Sequence, residues 1–123
     1  MEKLFINGAI DSWDSRYKKD AIFYAMQPLR VYIDSPGGSV TDGNSLAALL
    51  RDHAMNNAVE VETVGVGFVG SIATSVLLAG TKVKMDKDAL FMIHNPSVDY
   101  VSGEAKDLRS VATALDVVKN QLL

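Results

Sequence analysis

The chain reads as an α/β domain, a parallel sheet built from stacked βαβ units. Three observations carry that expectation. Short apolar runs alternate with longer segments of helical period along the 123 residues. The apolar runs are brief and continuous, as in strands covered on both faces. Several of them end directly in glycine-rich or serine-bearing turns.

Leu4-Phe5-Ile6 predicts a first strand, closed by the turn pair Asn7-Gly8. Residues 14–26, "DSRYKKDAIFYAM", suit a helix that stops before Pro28. Leu29 to Ile33 forms a second strand, followed at once by "SPGGSV". Residues 41–56, "TDGNSLAALLRDHAMN", predict a helix capped by Thr41 or Asp42, with Leu46, Leu49 and Leu50 on its apolar face. Val59 to Val66 reads as a third strand. A turn is expected at Gly67–Gly70, then a helix from Ser71 to Leu78 closed by Gly80. "KVKM" and "ALFMIH" read as a hairpin of two strands joined by Asp86-Lys87-Asp88. After "NPSVDYVSG" a last helix begins near Ser102, its apolar positions Ala105, Leu108, Val111, Ala112, Leu115, Val118 and Leu122 following the three-and-four step of one helical face.

Composition narrows the function classes. Apolar residues make up 48% and charged residues 22%, the balance of a globular protein, and residues 1–123 fit one domain. A net charge of −3 offers no basic excess for nucleic acid or an anionic membrane. The absence of cysteine excludes disulfides, thiolate catalysis and cysteine-bound zinc, and fits a cytoplasmic location. No metal site or cofactor motif is read. No apolar run reaches the ~18 residues of a membrane span, and "MEKLFINGAIDSW" does not read as a signal peptide. "LDVVKNQLL" stops inside an amphipathic pattern, so the chain reads as an N-terminal fragment of a longer one.

In sheets of this class the crevice at the carboxyl ends of the strands is the usual site. Gly37-Gly38, Gly70-Ser71 and His94 all fall at such ends. Ser71, at a strand-to-helix turn among small residues, is placed either to cap the helix or to act as a nucleophile. His94 is either a general base or a hydrogen-bonded structural histidine. His53, among Arg51, Asp52 and Asn56, reads as solvated or as a charge at a helix C-terminus. The glycine pair is either a type II turn after Pro36 or a close approach of backbone to a ligand. Acyl transfer needs two N–H donors at the carbonyl oxygen, and the amides of Gly38 and Ile72 would make such a pair.

Taken together, "YIDSPGGSVTDG", "GSIATSVLLAG" and "MIHNP" resemble, in order and spacing, the three core motifs of the Clp protease proteolytic subunit family. They are closer still to the Clp-like head-maturation proteases of phages and prophages, as the short N-terminal region and "GEAKDLRSVATALD" also suggest. The resemblance runs from "LFINGAID" to the last helix. It implies the ClpP/crotonase fold and serine endopeptidase chemistry. Carried over, it puts the nucleophile on Ser71, the general base on His94 and the oxyanion amides on Gly38 and Ile72. It also implies substrate pairing along Gly38, Ser39 and Val40 and at Asn95 and Pro96. Relatives form rings, so the resemblance implies a homo-oligomer acting on polypeptide, with an unfoldase or a capsid protein as partner.

Two features depart from the pattern. "FVGS" stands where many relatives have "AAS", so Phe68 and Val69 are placed to narrow the approach or to line a specificity pocket. The orienting aspartate has no match here: Asp99, Asp107 and Asp116 are the only aspartates after His94, and none fits the family position. Three other readings compete. They are a crotonase-type acyl-CoA enzyme, an inactive assembly scaffold, and a serine–lysine peptidase using Lys82 or Lys84, both read as exposed on an edge strand.

Overall fold

A computed structural model describes residues 1–92 of the chain. Five strands and three helices follow in the order β1 Glu2–Asn7, α1 Ser12–Tyr24, β2 Leu29–Ser35, α2 Val40–Asn57, β3 Val61–Gly70, α3 Ala73–Leu77, β4 Lys82–Met85 and β5 Leu90–Met92. All strand pairings are parallel, with β1-β2-β3-β4 adjacent in chain order. Right-handed crossovers between neighbouring parallel strands put successive helices on one face of the sheet. Accordingly α2 packs against α1, α3 and β3.

β2 shows the pattern most plainly. Leu29, Val31, Ile33 and Ser35 point into the core, while Arg30, Tyr32 and Asp34 alternate on the other face. The core joins Val31, Ile33 and Val61 from the sheet to Ile22 of α1, Leu50 of α2 and Leu77 of α3. On the opposite face Glu62 receives Arg30 at 3.3 Å and Lys84 at 3.2 Å. Burial alone would raise the Glu62 carboxyl; the two cations outweigh it and hold the group below the usual carboxylate range. The outer side of α1 carries exposed Trp13, Tyr17, Phe23 and Tyr24, with the Arg16 guanidinium 5.2 Å from the Trp13 ring and 5.3 Å from the Tyr17 ring.

Several elements differ from expectation, each for a local reason. α1 starts at Ser12 because the Asp11 carboxylate accepts the Asp14 N–H at 2.8 Å, capping the helix earlier. α2 is capped by Ser39, whose Oγ accepts the Asp42 N–H at 3.2 Å, not by Thr41 or Asp42. β3 does not end in a turn at Gly67. It runs on through Phe68, Val69 and Gly70 after a bulge, in which β2 advances from Ile33 to Ser35 while β3 advances from Gly65 to Val69. The Asp34 carboxylate fills that bulge and accepts the Phe68 N–H at 3.0 Å. At Gly67 (φ 69°) a Cβ would stand 2.8 Å from the same carboxylate.

β4 and β5 are not a hairpin. Both run parallel to β3, β4 along Glu62–Gly65 and β5 along Phe68–Gly70. The turn between them anchors Asp86 N–H on the Gly65 carbonyl at 2.8 Å, handing the strand from one edge segment to the next. Gly80 does not cap α3, which closes at Leu78. Its missing side chain instead leaves room for Thr63, whose Oγ1 would stand 2.5 Å from a Cβ there. His53 is not solvated. It is buried, its Nε2 donating to the Gln27 carbonyl at 2.7 Å and its Nδ1 accepting from the Asn57 amide at 3.0 Å. None of the described helices is long and apolar enough to cross a membrane.

Candidate active site

The carboxyl ends of β2 and β3 meet at two turns, Ser35–Ser39 and Gly70–Ile72. Ser71 stands between β3 and α3 with φ 53°, a left-handed backbone that costs an L-residue about 1–2 kcal/mol. Its N–H donates to the Met92 carbonyl at 3.2 Å, at the end of β5, and its own carbonyl accepts Thr74 N–H at 3.0 Å and Thr74 Oγ1–H at 2.7 Å. Ile72, not Ser71, occupies the cap position of α3, and no side-chain cap bond forms there. The capping role open to Ser71 in the sequence is therefore not taken up. A sharp strand-to-helix turn of this kind lifts the side chain away from the sheet and out of the helix.

Gly37 lies directly against that side chain. A Cβ on Gly37 would come within 2.6 Å of Ser71 Cβ, 3.0 Å of the Gly70 carbonyl oxygen and 3.1 Å of Ser71 Oγ. Both glycines have positive φ, 102° at Gly37 and 146° at Gly38. The second has its own neighbour: a Cβ on Gly38 would fall 2.3 Å from the Ile10 carbonyl oxygen. The pair is thus explained by two close approaches, one on each side of the turn.

Pro36 has no N–H, and the amides of Gly37 and Ser39 have partners among the described residues. Gly37 N–H donates to the Oγ of fully buried Ser35 at 3.1 Å. Ser39 N–H donates to the Ile10 carbonyl at 2.7 Å, and Ile10 N–H donates to the Gly37 carbonyl at 2.8 Å, forming a parallel bridge between Ile10 and Gly38. Gly38 N–H meets no acceptor among the described residues. Because Gly37 O and Ser39 N face Ile10, strand alternation turns the Gly38 amide to the other side. Ile72 N–H likewise has no acceptor among the described residues, as befits a residue at the start of a helix.

The two turns are pinned to each other a second time through α2. A Cβ on Gly43 would meet Ile72 Cγ1 at 2.4 Å, so the first turn of α2 rests on the residue that follows Ser71. Beside it, the Asp42 carboxylate accepts Lys19 Nζ–H at 2.7 Å on one oxygen and Ser12 Oγ–H at 3.0 Å on the other. Lys19 above all, then the hydroxyls of Ser39 and Ser12, holds the Asp42 carboxyl down at about 2 against the opposing effect of burial.

Of the residues singled out in the sequence, the structure brings Ser71, Ile72 and Gly38 to adjoining turns. Ser39 N–H is committed to the Ile10 carbonyl and its Oγ to the cap of α2, which begins at Val40. Val69 is wholly buried and lines no approach to the serine. Phe68 is half-buried, its ring over Gly70, where a Cβ would meet Phe68 Cε1 at 2.5 Å. Lys84 is engaged by Glu62 and Lys82 is exposed on the β4 edge, so neither supports a serine–lysine pair. His94, Asn95, Pro96, Asp99, Asp107, Asp116 and the last helix lie outside the described residues. Ile10 and Ser35 carry no expectation from the sequence, and Asp42 enters there only as a candidate cap of α2. The spacing Ser39-x-x-Asp42 is a capping-box signature that could have flagged Asp42; nothing local flags Ile10.

Comparison with known proteins agrees with this layout. Among solved structures, the ClpP protease catalytic domain of Plasmodium falciparum superposes with a TM-score of 0.65 at 22% identity, covering 98% of this chain and 67% of that one. A ClpP1 variant from Listeria monocytogenes gives 0.64 at 20% identity, covering 98% and 71%. At those identities the likeness establishes the α/β fold with its parallel sheet. Among curated sequences, ATP-dependent Clp protease proteolytic subunit 1 of Synechococcus sp. is 37% identical over 94 residues, covering 75% of this chain and 45% of the relative. Proteolytic subunit 2 of Thermobifida fusca is 37% identical over 99 residues, covering 77% and 45%. The chain thus spans about 45% of the length of these relatives. The Clp protease family profile matches residues 21–123, taking in both turns of the site, and the chain belongs to the Clp protease family.

Proposed function

We propose that this chain carries the nucleophile and oxyanion amides of a serine endopeptidase acting on extended polypeptide. Ser71 Oγ attacks the scissile carbonyl. The amides of Gly38 and Ile72 receive the negative oxygen. His94 takes the serine proton and returns it to the leaving amine, and water then releases the acyl group. The observation that carries the reading is the convergence at Ser71: a left-handed serine, packed on Gly37, beside two amides with no partner among the described residues. The Met92 carbonyl, two residues before His94 in sequence, already accepts the Ser71 N–H.

A peptide would add along the edge that Gly38 and Val40 leave open, opposite Ile10, and the family resemblance adds Asn95 and Pro96 to its pairing. No metal or organic cofactor enters these steps. The family resemblance adds a homo-oligomeric ring, an unfoldase or a capsid protein as partner and a phage or prophage subtype, and the cysteine-free composition fits a cytoplasmic location. The test is acylation by a fluorophosphonate probe together with peptide hydrolysis. Ser71→Ala should abolish both. A Ser71→Ala protein that hydrolyses peptide at the parental rate refutes the assignment.

A further inference from the structure

We propose that Asp42 is a positioning residue for the oxyanion amides, tying the turn that presents Gly38 and the turn that presents Ile72 to helix α1. The proposal rests on the reading of Ser71 as nucleophile. It starts from an unusual use of a capping position. In a capping box the acidic side chain three residues into the helix turns back to the N–H of the cap residue. Here that N–H, on Ser39, is already taken by the Ile10 carbonyl at 2.7 Å. The Asp42 carboxylate is released from the usual task and reaches across to α1, where Lys19 Nζ at 2.7 Å and Ser12 Oγ at 3.0 Å donate to its two oxygens.

Asp42 stands where both candidate donors can be held. Its own N–H donates to Ser39 Oγ, one residue after Gly38. The next residue, Gly43, is the one packed on Ile72. Ser12 follows Ile10 by two residues, so the segment that clamps Gly37 and Ser39 through its backbone is the one that Asp42 grips through a side chain. The result is a closed circuit: Ile10 to Gly38, Ser39 to Asp42, Asp42 to Ser12, and back along the chain to Ile10. With its carboxyl held down at about 2, Asp42 is ionised at neutral pH, and the ion pair with Lys19 keeps that circuit shut. The Asp42 side chain touches neither substrate nor reacting atoms; it acts through Ser39 and Gly43.

The test uses the full chain, with kcat and KM for a peptide, the rate of fluorophosphonate labelling at Ser71, and amide hydrogen exchange over residues 37–43. Outright loss of an oxyanion donor lowers kcat by ~10²–10³, so misplacement by Asp42→Ala should lower kcat and the labelling rate by about tenfold. KM should stay within about twofold, because the missing help is specific to the transition state. Exchange at residues 37–43 should quicken. Asp42→Asn, which can still accept from Lys19 and donate to Ser12, should recover most of the rate. Lys19→Met, which removes one arm, should fall between the two and serves if Asp42→Ala does not fold. A folded Asp42→Ala protein with parental kcat overturns the proposal. So does a loss of activity that merely tracks the folded fraction at each temperature. A parent that never labels at Ser71, while Asp42→Ala still quickens exchange, removes the catalytic reading and this role with it, but leaves the structural circuit standing.

Discussion

Replacing Gly37 with alanine places a methyl group where the Ser71 side chain already stands. The new carbon would lie 2.6 Å from Ser71 Cβ and 3.1 Å from Ser71 Oγ, with the Gly70 carbonyl oxygen at 3.0 Å. Carbon atoms rest about 3.5–4.0 Å apart, so the two turns must separate by close to 1 Å. Neither side yields readily: Gly37 is bonded through its carbonyl to Ile10 and through its amide to Ser35, and Ser71 through its amide to Met92. Overpacking of this kind costs about 1–3 kcal/mol. An L-residue at φ 102° adds at least the ~1–2 kcal/mol of a left-handed backbone. The summed loss of stability is about 2–5 kcal/mol. A displacement of ~1 Å at reacting groups costs about 10² in rate. Gly37→Ala should therefore unfold at lower urea concentration, followed by circular dichroism, and label with fluorophosphonate about a hundredfold more slowly while still folded. An alanine protein within ~0.5 kcal/mol of the parent and within twofold of its labelling rate would refute the contact between the turns.

Two further outcomes can be checked by equilibrium unfolding. Asp42 has its folded value at about 2, below the unfolded 3.8, so its contribution is present in full above pH ~4 and fades as pH falls toward 2. That contribution is at most about 2 kcal/mol, reduced by solvent around the half-exposed Lys19, and Asp42→Asn should flatten the acid limb of a stability–pH curve by that amount. His53→Leu leaves the Gln27 carbonyl and the Asn57 amide without their ring partners. It should cost about 2–4 kcal/mol, with a smaller loss for His53→Gln, which keeps a donor and an acceptor.

The sequence reveals what local chemistry decides. The apolar run of β2, the helical period of α2 and the glycine pair after Pro36 need no distant partner to be recognised, and they lead to Gly38 and Ser71. What stayed hidden depends on residues far apart. β3 continues past Gly67 because the carboxylate of Asp34, 34 residues earlier than Phe68, occupies the bulge. β4 and β5 look like a hairpin in sequence because their joining turn is charged and short. They run parallel because β3 offers each a separate stretch of the same edge. Ile10 carries no signal at all, since its part is played by the main chain. Ser39 misled in a different way: as the cap of α2 it competes with Thr41 and Asp42 for one role, and only the geometry of the preceding glycines decides among them.

The aromatic side of α1 bears on how any unfolding experiment should be read. Trp13 is the sole tryptophan of the chain and is 67% exposed in the native state. Its indole is already wet, with a guanidinium stacked above it, so its emission will shift little when the core melts. The same fluorophore is well placed to sense whatever comes to rest on α1, since covering it would move the emission to the blue.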